Sequence, residues 1–327
     1  MGAAPPRLVA DVGATNARFA LQPPGARPAA PVILRCADFP DIEGAARAAL
    51  AELKTEAAPR HAAIAVAAPV LGDDIEMTNH PWRFSRKDLR RALGLERLLV
   101  VNDFTAVALG VPRLGDGERR KLGGGEAALD APIAVLGPGS GLGVSGLVPA
   151  GGRWVALAGE GGHVDFAPGD EREAAILERL RRRFDHVSLE RVLSGPGLVN
   201  LYRALAEIDA AEADDDGLPT AEEITERARK RSCRRCVATV ETFCGVLGAA
   251  AGNLALTLGA LGGVYVAGGI VPRLGPAFAE DRFRGRFEAK GRFAAYLAPI
   301  PAFVITAAEP ALIGLAGLLD DLAGGDA

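Results

Sequence analysis

Two stretches of this chain share one layout, and that repetition limits its fold more than any other feature. Residues 8–22, LVADVGATNARFALQ, read as a short apolar strand, a Gly/Thr/Asn turn, and a second strand with Phe19 and Leu21 on one side. Residues 131–148, APIAVLGPGSGLGVSGLV, again read as strand, glycine turn, strand. Each hairpin opens a run in which helical segments alternate with parallel-type strands. After the first come the strand PVILRCAD, the helical IEGAARAALAEL, the strand AAIAVAAPV at 62–70, and SRKDLRRAL with Ser85 as N-cap. The strand RLLVVND at 97–103 and a helical FTAVALG complete that half. After the second come RWVALAGE as a third strand and mostly helix from Glu171 to Leu258, with the capping box Thr220-x-x-Glu223. Strands in GGVYVAGGIV and PAFVITAA follow, and the amphipathic helix EPALIGLAGLLDDL ends the series. Two α/β lobes facing each other across a cleft are expected, with both glycine turns at its floor. The crossing point is expected between Pro112 and Gly125, and the terminal helix is expected to return to the first lobe.

A length of 327 residues suffices for two domains with separate cores, and 49% apolar with 24% charged residues is a globular composition. A net charge of −4 argues against a nucleic-acid partner, which needs a basic face. The Arg-rich RKDLRRAL and ERLRRRF place Leu or Phe at helical spacing and read as solvated helix faces. Cys233 and Cys236 form a C-x-x-C with no neighbouring histidine and only Cys244 nearby, so a structural zinc lacks its fourth ligand. Free thiols in a reducing cytosol are expected, Cys36 included. From Glu241 to Arg273 no charge interrupts the chain, and GAAAG at 248–252 imitates a membrane helix-dimer pattern. Asn253, Thr257 and the glycines at 259, 262 and 263 break that run, so a packed helix followed by an inner strand is expected, not a membrane span. MGAAPPRLVAD carries no apolar leader run, and a cytoplasmic chain is expected.

The candidate chemistry sits at the turns and strand ends. Gly13, Ala14, Thr15 and Asn16 offer backbone N–H groups, a hydroxyl and an amide, a donor set that suits a phosphate. Asp11 points a carboxylate into the same space, where a phosphate-bound Mg²⁺ would want one. No Walker A loop, G-x-x-x-x-G-K-[ST], occurs anywhere in the chain. The second turn, GPGSGLGV, lacks the dinucleotide-binding spacing and no helix follows it. Gly268 and Gly269, after VYVA, could let a nucleoside lie against the backbone. Asn102 and Asp103 stand where a strand gives way to a helix; Asp103 is either a ligand-facing carboxylate or the N-cap of that helix. GEGGHVDF supplies Glu160, His163 and Asp165, and SLERVLSG supplies Glu190. That mixture suits a polyhydroxylated ligand, because each hydroxyl both donates and accepts; His163 as a core histidine and Glu190 as a helix-surface residue are the plainer readings.

Taken jointly, DVGATNAR, TNHPW (78–82), NDFTAV, GSGLGV, GEGGHVDFAP, ERVLSGPGLVNLYR, AGNLAL and GGVYVAGGIVPR resemble the bacterial glucokinases of the hexokinase/actin-like ATPase group. The resemblance runs nearly end to end and is most specific from Gly159 to Arg203. It implies two actin-like (ribonuclease H-like) lobes around a central cleft: residues 1–113 plus about 306–327, and about 114–305. It also implies ATP-dependent phosphorylation of D-glucose at the 6-hydroxyl, with Asp103 as general base. Asn102, Asp103, Glu160, His163 and Glu190 would bind the sugar. Ala10, Asp11, Val12, Gly13, Ala14, Thr15 and Asn16 would hold the ATP phosphates together with Gly139, Ser140 and Gly141, and Asp11 would orient Mg²⁺ through water. Gly268 and Gly269 would flank the nucleoside, and a homodimer is the implied assembly. Two departures stand out. Ala14 replaces the family's glycine, which a positive φ would make awkward, and Ser140 replaces a threonine while keeping its hydroxyl. A kinase for mannose or fructose, a sugar-sensing regulator and a chaperone-like ATPase are the alternatives. The regulator is disfavoured by the acidic charge and by the lack of a helix-turn-helix extension; the cysteine-rich zinc motif of the related repressor/kinase family is also absent. The chaperone would need a peptide-binding domain.

Overall fold

The computed structural model describes residues 5–55, 57–209 and 217–325. The start of the segment read for a leader, Met1–Ala4, lies outside them. In chain order the first elements are β1 (Arg7–Val12), β2 (Asn16–Gln22), β3 (Val32–Arg35), α1 (Ile42–Leu53), β4 (His61–Val66), β5 (Asp74–Glu76) and β6 (Arg83–Ser85). Next come α2 (Arg86–Ala92), β7 (Arg97–Asn102), α3 (Asp103–Gly110), β8 (Arg119–Gly123), β9 (Ile133–Pro138), β10 (Leu142–Ala150) and β11 (Arg153–Gly159). The chain continues through α4 (Glu171–Arg181), α5 (Gly195–Ile208), α6 (Ala221–Arg229), α7 (Arg234–Leu258) and β12 (Val264–Val266). It closes with α8 (Ile270–Leu274), α9 (Glu280–Glu288), α10 (Ala294–Leu297), β13 (Ala302–Ile305) and α11 (Pro310–Gly325). It divides into two compact units, Met1–Gly115 with Ala150–Ala158 and Ala307–Ala327, and Asp116–Pro149 with Gly159–Thr306. The fold class is mixed α/β, as expected.

In the first unit a five-stranded sheet has the order β3-β2-β1-β4-β7, with β1, β4 and β7 parallel. Both of its faces are covered, which is why its strands read as unbroken apolar runs. Leu8, Ala10 and Val12 join Ile42, Ala45 and Ala49 of α1 in one core cluster; Val9 joins Ala106 of α3 and Leu312 and Leu315 of α11 in another. Side chains alternate along a strand, so Asp11 shares the α11-facing side with Val9. Helices α3 and α11 meet backbone to backbone. A β-carbon at Gly314 would fall on the Ala106 carbonyl oxygen, and one at Gly110 would come within 2.5 Å of the Pro310 carbonyl oxygen.

In the second unit five sheet strands lie in the order β10-β9-β12-β13-β8, with β9, β12 and β13 parallel. Helix α7 explains the membrane-like segment. It is the one described helix long and apolar enough to span a bilayer, yet it packs in the core with α5, α6 and α9. β-Carbons at Gly248 and Gly252 would fall on the Phe283 and Phe287 carbonyl oxygens of α9, so the small residues serve close helix contact inside the unit. The strand after it, Val264–Val266, is buried between β9 and β13. Cys233 caps α7, its Sγ accepting from the Cys236 N–H at 3.2 Å, and the cysteines are free thiols.

Ser85 accepts from the Asp88 N–H and caps α2, and Thr220 and Glu223 form the expected capping box. The Arg-rich faces of α2 and α4 are mostly exposed. Several features lay outside the sequence expectation, among them the short helices α8, α9 and α10. The β5–β6 hairpin uses three-residue strands, too short to show a period, and is pinned where the Ser85 hydroxyl donates to Asp73 at 2.8 Å. Strand β8, RRKLG, pairs antiparallel with β13 at the sheet edge. One apolar residue among charges suits an edge and leaves no pattern to read. Strand β3 also stops at Arg35, where Cys36–Asp38 turn into a single 3₁₀ turn.

Candidate active site

Parallel pairing aligns three strand ends in the first unit, Val12 opposite Val66 and Val66 opposite Asn102. With about 4.8 Å between neighbouring strands, the ends of β1 and β7 stand about 10 Å apart. The turn after β1 and the Asn102–Asp103 pair therefore share one edge of one sheet, the carboxyl-terminal edge at which α/β sheets meet ligands. In the turn, the Gly13 N–H donates to the Asn16 carbonyl at 3.0 Å, and the Cys36 N–H donates to the Thr15 carbonyl at 2.9 Å. The Gly13 amide thus closes the turn, which moves the expected phosphate donors onto the Ala14 and Thr15 backbone and the Thr15 hydroxyl. Ala14 does not adopt a positive φ, so its methyl group brings no backbone strain.

The ambiguity at 102–103 resolves into two positions. Asn102 is the N-cap of α3, its Oδ1 accepting from the Phe104 N–H at 2.9 Å and the Thr105 N–H at 3.2 Å. Its Nδ2 donates to the Ala68 carbonyl at 3.4 Å. Asp103 is the first residue of the helix, and its Oδ1 accepts from the Phe104 N–H at 2.9 Å. A carboxylate in the first turn is favoured by the helix dipole.

Asp11 has company that its sequence neighbourhood did not announce. The hairpin register sets Arg18 directly across from it, with Arg18 NH1 4.0 Å from Asp11 Oδ2. Arg18 Nε lies closer, at 3.3 Å, to Glu309 Oε1 just before α11. Burial pushes the Asp11 carboxyl above the usual carboxylate range, and Arg18 offsets part of the rise. Burial raises Glu309 too, with Arg18 lowering it and Asp11 adding to the rise. Among the described residues no cluster of three or more His, Cys, Asp or Glu could cage a metal. A carboxylate beside the Gly13–Asn16 turn suits Mg²⁺, which keeps several waters and takes few protein ligands.

The second unit gathers the remaining candidates around the turn between β9 and β10. The Gly139 N–H donates to the Gly141 carbonyl at 2.8 Å, and the Gly139 carbonyl accepts from the Gly195 N–H, at the start of α5, at 2.8 Å. Ser140 is exposed at the tip. Gly268, with φ +81°, packs so close that a β-carbon would fall on the Pro138 carbonyl oxygen; glycine is required there on both counts. Exposed Gly269 follows it. Glu190 is anchored to the same turn, its Oε2 accepting from the Leu142 N–H at 2.9 Å. Glu160 is exposed ahead of the 3₁₀ turn Gly161–His163, which rests on β10, where a β-carbon at Gly162 would meet the Leu142 carbonyl oxygen. His163 is exposed, not a core residue, and its carbonyl is 2.9 Å from His186 Nε2. His163 and Glu190 line one cavity of about 370 Å³ with Arg183, His186, Ser188 and Arg191, a volume within the range of small-molecule sites.

Arg18 and Glu309 were not singled out by the sequence reading. A turn closed between Gly13 and Asn16 pairs 12 with 17 and 11 with 18, so counting along the hairpin would have found Arg18. No local signal marks Glu309, 298 positions from Asp11 and adjacent to it only through folding.

The family model for glucokinase matches residues 8–322. The glucokinase of Paramagnetospirillum magneticum is 55% identical over 315 residues, which cover 96% of this chain and 97% of that protein. The bifunctional protein glk of Paraburkholderia xenovorans is 50% identical over 316 residues; the chain spans about half of that protein's length, 49%. Among solved structures, a glucokinase from an Antarctic psychrotroph superposes with a TM-score of 0.87 at 37% identity, covering 97% of this chain and 99% of the other. With a family model spanning nearly its whole length and a relative at 55% identity, the chain belongs to the glucokinase family.

Proposed function

We propose that this protein transfers the γ-phosphoryl group of ATP to the 6-hydroxyl of D-glucose, with Asp103 as the base that receives the hydroxyl proton. ATP-dependent glucose phosphorylation follows from family membership. The observation that supports the base is the division at the head of α3: Asn102 carries the cap, so Asp103 is not needed for it. As the bond from O6 to the γ-phosphorus forms, the bond from that phosphorus to the bridging oxygen breaks and ADP leaves. The proton of the 6-hydroxyl passes to Asp103. The transition state is loose, so Asp103 contributes chiefly by aiming the hydroxyl as it takes the proton.

Glu160, His163 and Glu190 would take the other hydroxyls, their oxygens accepting and the imidazole either donating or accepting. Asn102 Oδ1 is already engaged and one N–H of Nδ2 donates to the Ala68 carbonyl, so its side chain would offer the sugar its remaining amide N–H. The Ala10–Asn16 strand end and turn and the Gly139–Gly141 turn would hold the phosphates, and Gly268 and Gly269 would lie against the nucleoside. Mg²⁺, with Asp11 orienting its water shell, would neutralise phosphate charge. A homodimer is the proposed assembly. A coupled assay with D-glucose, D-mannose and D-fructose, with the product's phosphate position read by ³¹P NMR, tests the reading. Glucose 6-phosphate formed at the highest kcat/KM supports it; a preference for another hexose, or ATP binding without turnover, overturns it.

A further inference from the structure

Strand alternation, hairpin register and helix packing together bring a third side chain to the Asp11–Arg18 pair. Asp11 and Arg18 are cross-strand partners on the face of the sheet covered by α11. Glu309 immediately precedes that helix, whose seat against α3 is fixed by the close approach at Gly110 and Gly314. The three side chains are partly buried, at 22%, 32% and 30% exposure for Asp11, Arg18 and Glu309, so solvent does not fully screen them. A direct Arg–carboxylate pair closes to about 2.7–2.9 Å. Arg18 stands 4.0 Å from Asp11 and 3.3 Å from Glu309, so the guanidinium is drawn toward Glu309 and the Asp11 pair is left open.

We propose that Glu309 is a positioning residue that holds Arg18 back from Asp11, keeping the Asp11 carboxylate turned to the phosphate-bound cation instead of closed in a salt bridge. The proposal rests on the reading of Asp11 as the carboxylate that orients Mg²⁺. Without the negative charge at 309 nothing competes for the guanidinium, and Arg18 closes on Asp11. A cation approaching with the nucleotide must then displace Arg18 first.

The test is calorimetric binding of Mn²⁺–ADP, with Mn²⁺ standing in for Mg²⁺, so that no turnover is needed. Glu309→Gln keeps the shape and removes the charge; it should weaken Mn²⁺–ADP binding about two- to fivefold, the scale of a partly exposed ion pair. Glucose affinity should stay unchanged. Adding Arg18→Gln to Glu309→Gln should restore Mn²⁺–ADP affinity, a rescue that a merely structural role for Glu309 would not give. Glu309→Asp, which keeps the charge, should bind more like the parent. Unchanged affinity in Glu309→Gln, or a double variant as weak as the single one, overturns the proposal. Asp11→Asn separates the two levels. If it binds Mn²⁺–ADP like the parent, the reading of Asp11 fails and the proposal with it. If it binds weakly while Glu309→Gln is normal, only the role of Glu309 falls.

Discussion

Asn102 has two tasks in this account, and two substitutions separate them. Its Oδ1 accepts two backbone N–H groups, from Phe104 and Thr105, at the head of an eight-residue helix. Each bond contributes about 0.5–1.5 kcal/mol net. Because both converge on one oxygen, the total should match the usual worth of an N-cap, about 1 kcal/mol and no more than about 2. Asn102→Ala should therefore lower unfolding stability by about 1–2 kcal/mol, which calorimetry reads as about 2–4 °C in Tm per kcal/mol. Asn102→Asp caps as well as asparagine, at a helix end that favours negative charge, but loses the bond to the Ala68 carbonyl, so it should unfold between Asn102→Ala and the parent. It loses the amide N–H groups, however, and should bind glucose about tenfold more weakly in a titration, the upper range for one lost hydrogen bond. An Asn102→Ala protein with the parental Tm would refute the capping argument. Parental glucose affinity in Asn102→Asp would refute the sugar contact.

At Gly268, the positive φ and the overlap of a β-carbon with the Pro138 carbonyl mean that Gly268→Ala should cost about 2–4 kcal/mol of stability, combining left-handed strain with overpacking. ADP titration of that variant should show weakened nucleotide binding with glucose binding retained. Burial pushes the Cys244 thiol up to about 12, so iodoacetamide at pH 8, followed by peptide mapping, should modify the less buried Cys233 well before Cys244. The same shift has a stability consequence with a definite sign. Unfolded chains release this proton near the ordinary thiol value of 9.0 while the folded protein holds it to about 12, so its contribution is present below pH 9 and is lost as pH rises toward 12.

The paired α/β layout could be read from the sequence because its strands are buried on both faces and its helices carry caps. Ser85, Thr220 and the turn after Val12 each announce their structure within four residues. Strands β5, β6 and β8 could not be read, because three-residue or charge-dominated strands exist only through their partners. At 103 the sequence left the aspartate as either a ligand-facing carboxylate or the cap of α3, and the cap is instead the preceding Asn102, which local chemistry alone did not single out. Arg18 was within reach of a register count along the hairpin. Glu309 was not, because its place beside Arg18 depends on where α11 docks, and that is set by Gly110 and Gly314, glycines in two helices far apart in the chain.

If the carboxylate at the first position of α3 takes the proton of the sugar's 6-hydroxyl, Asp103→Ala should lose turnover and keep its substrate. A general base is worth about 10²–10⁴ in rate. Steady-state kcat of that variant should fall by about that factor while titration shows it still binding glucose. Turnover within a few-fold of the parent would contradict it.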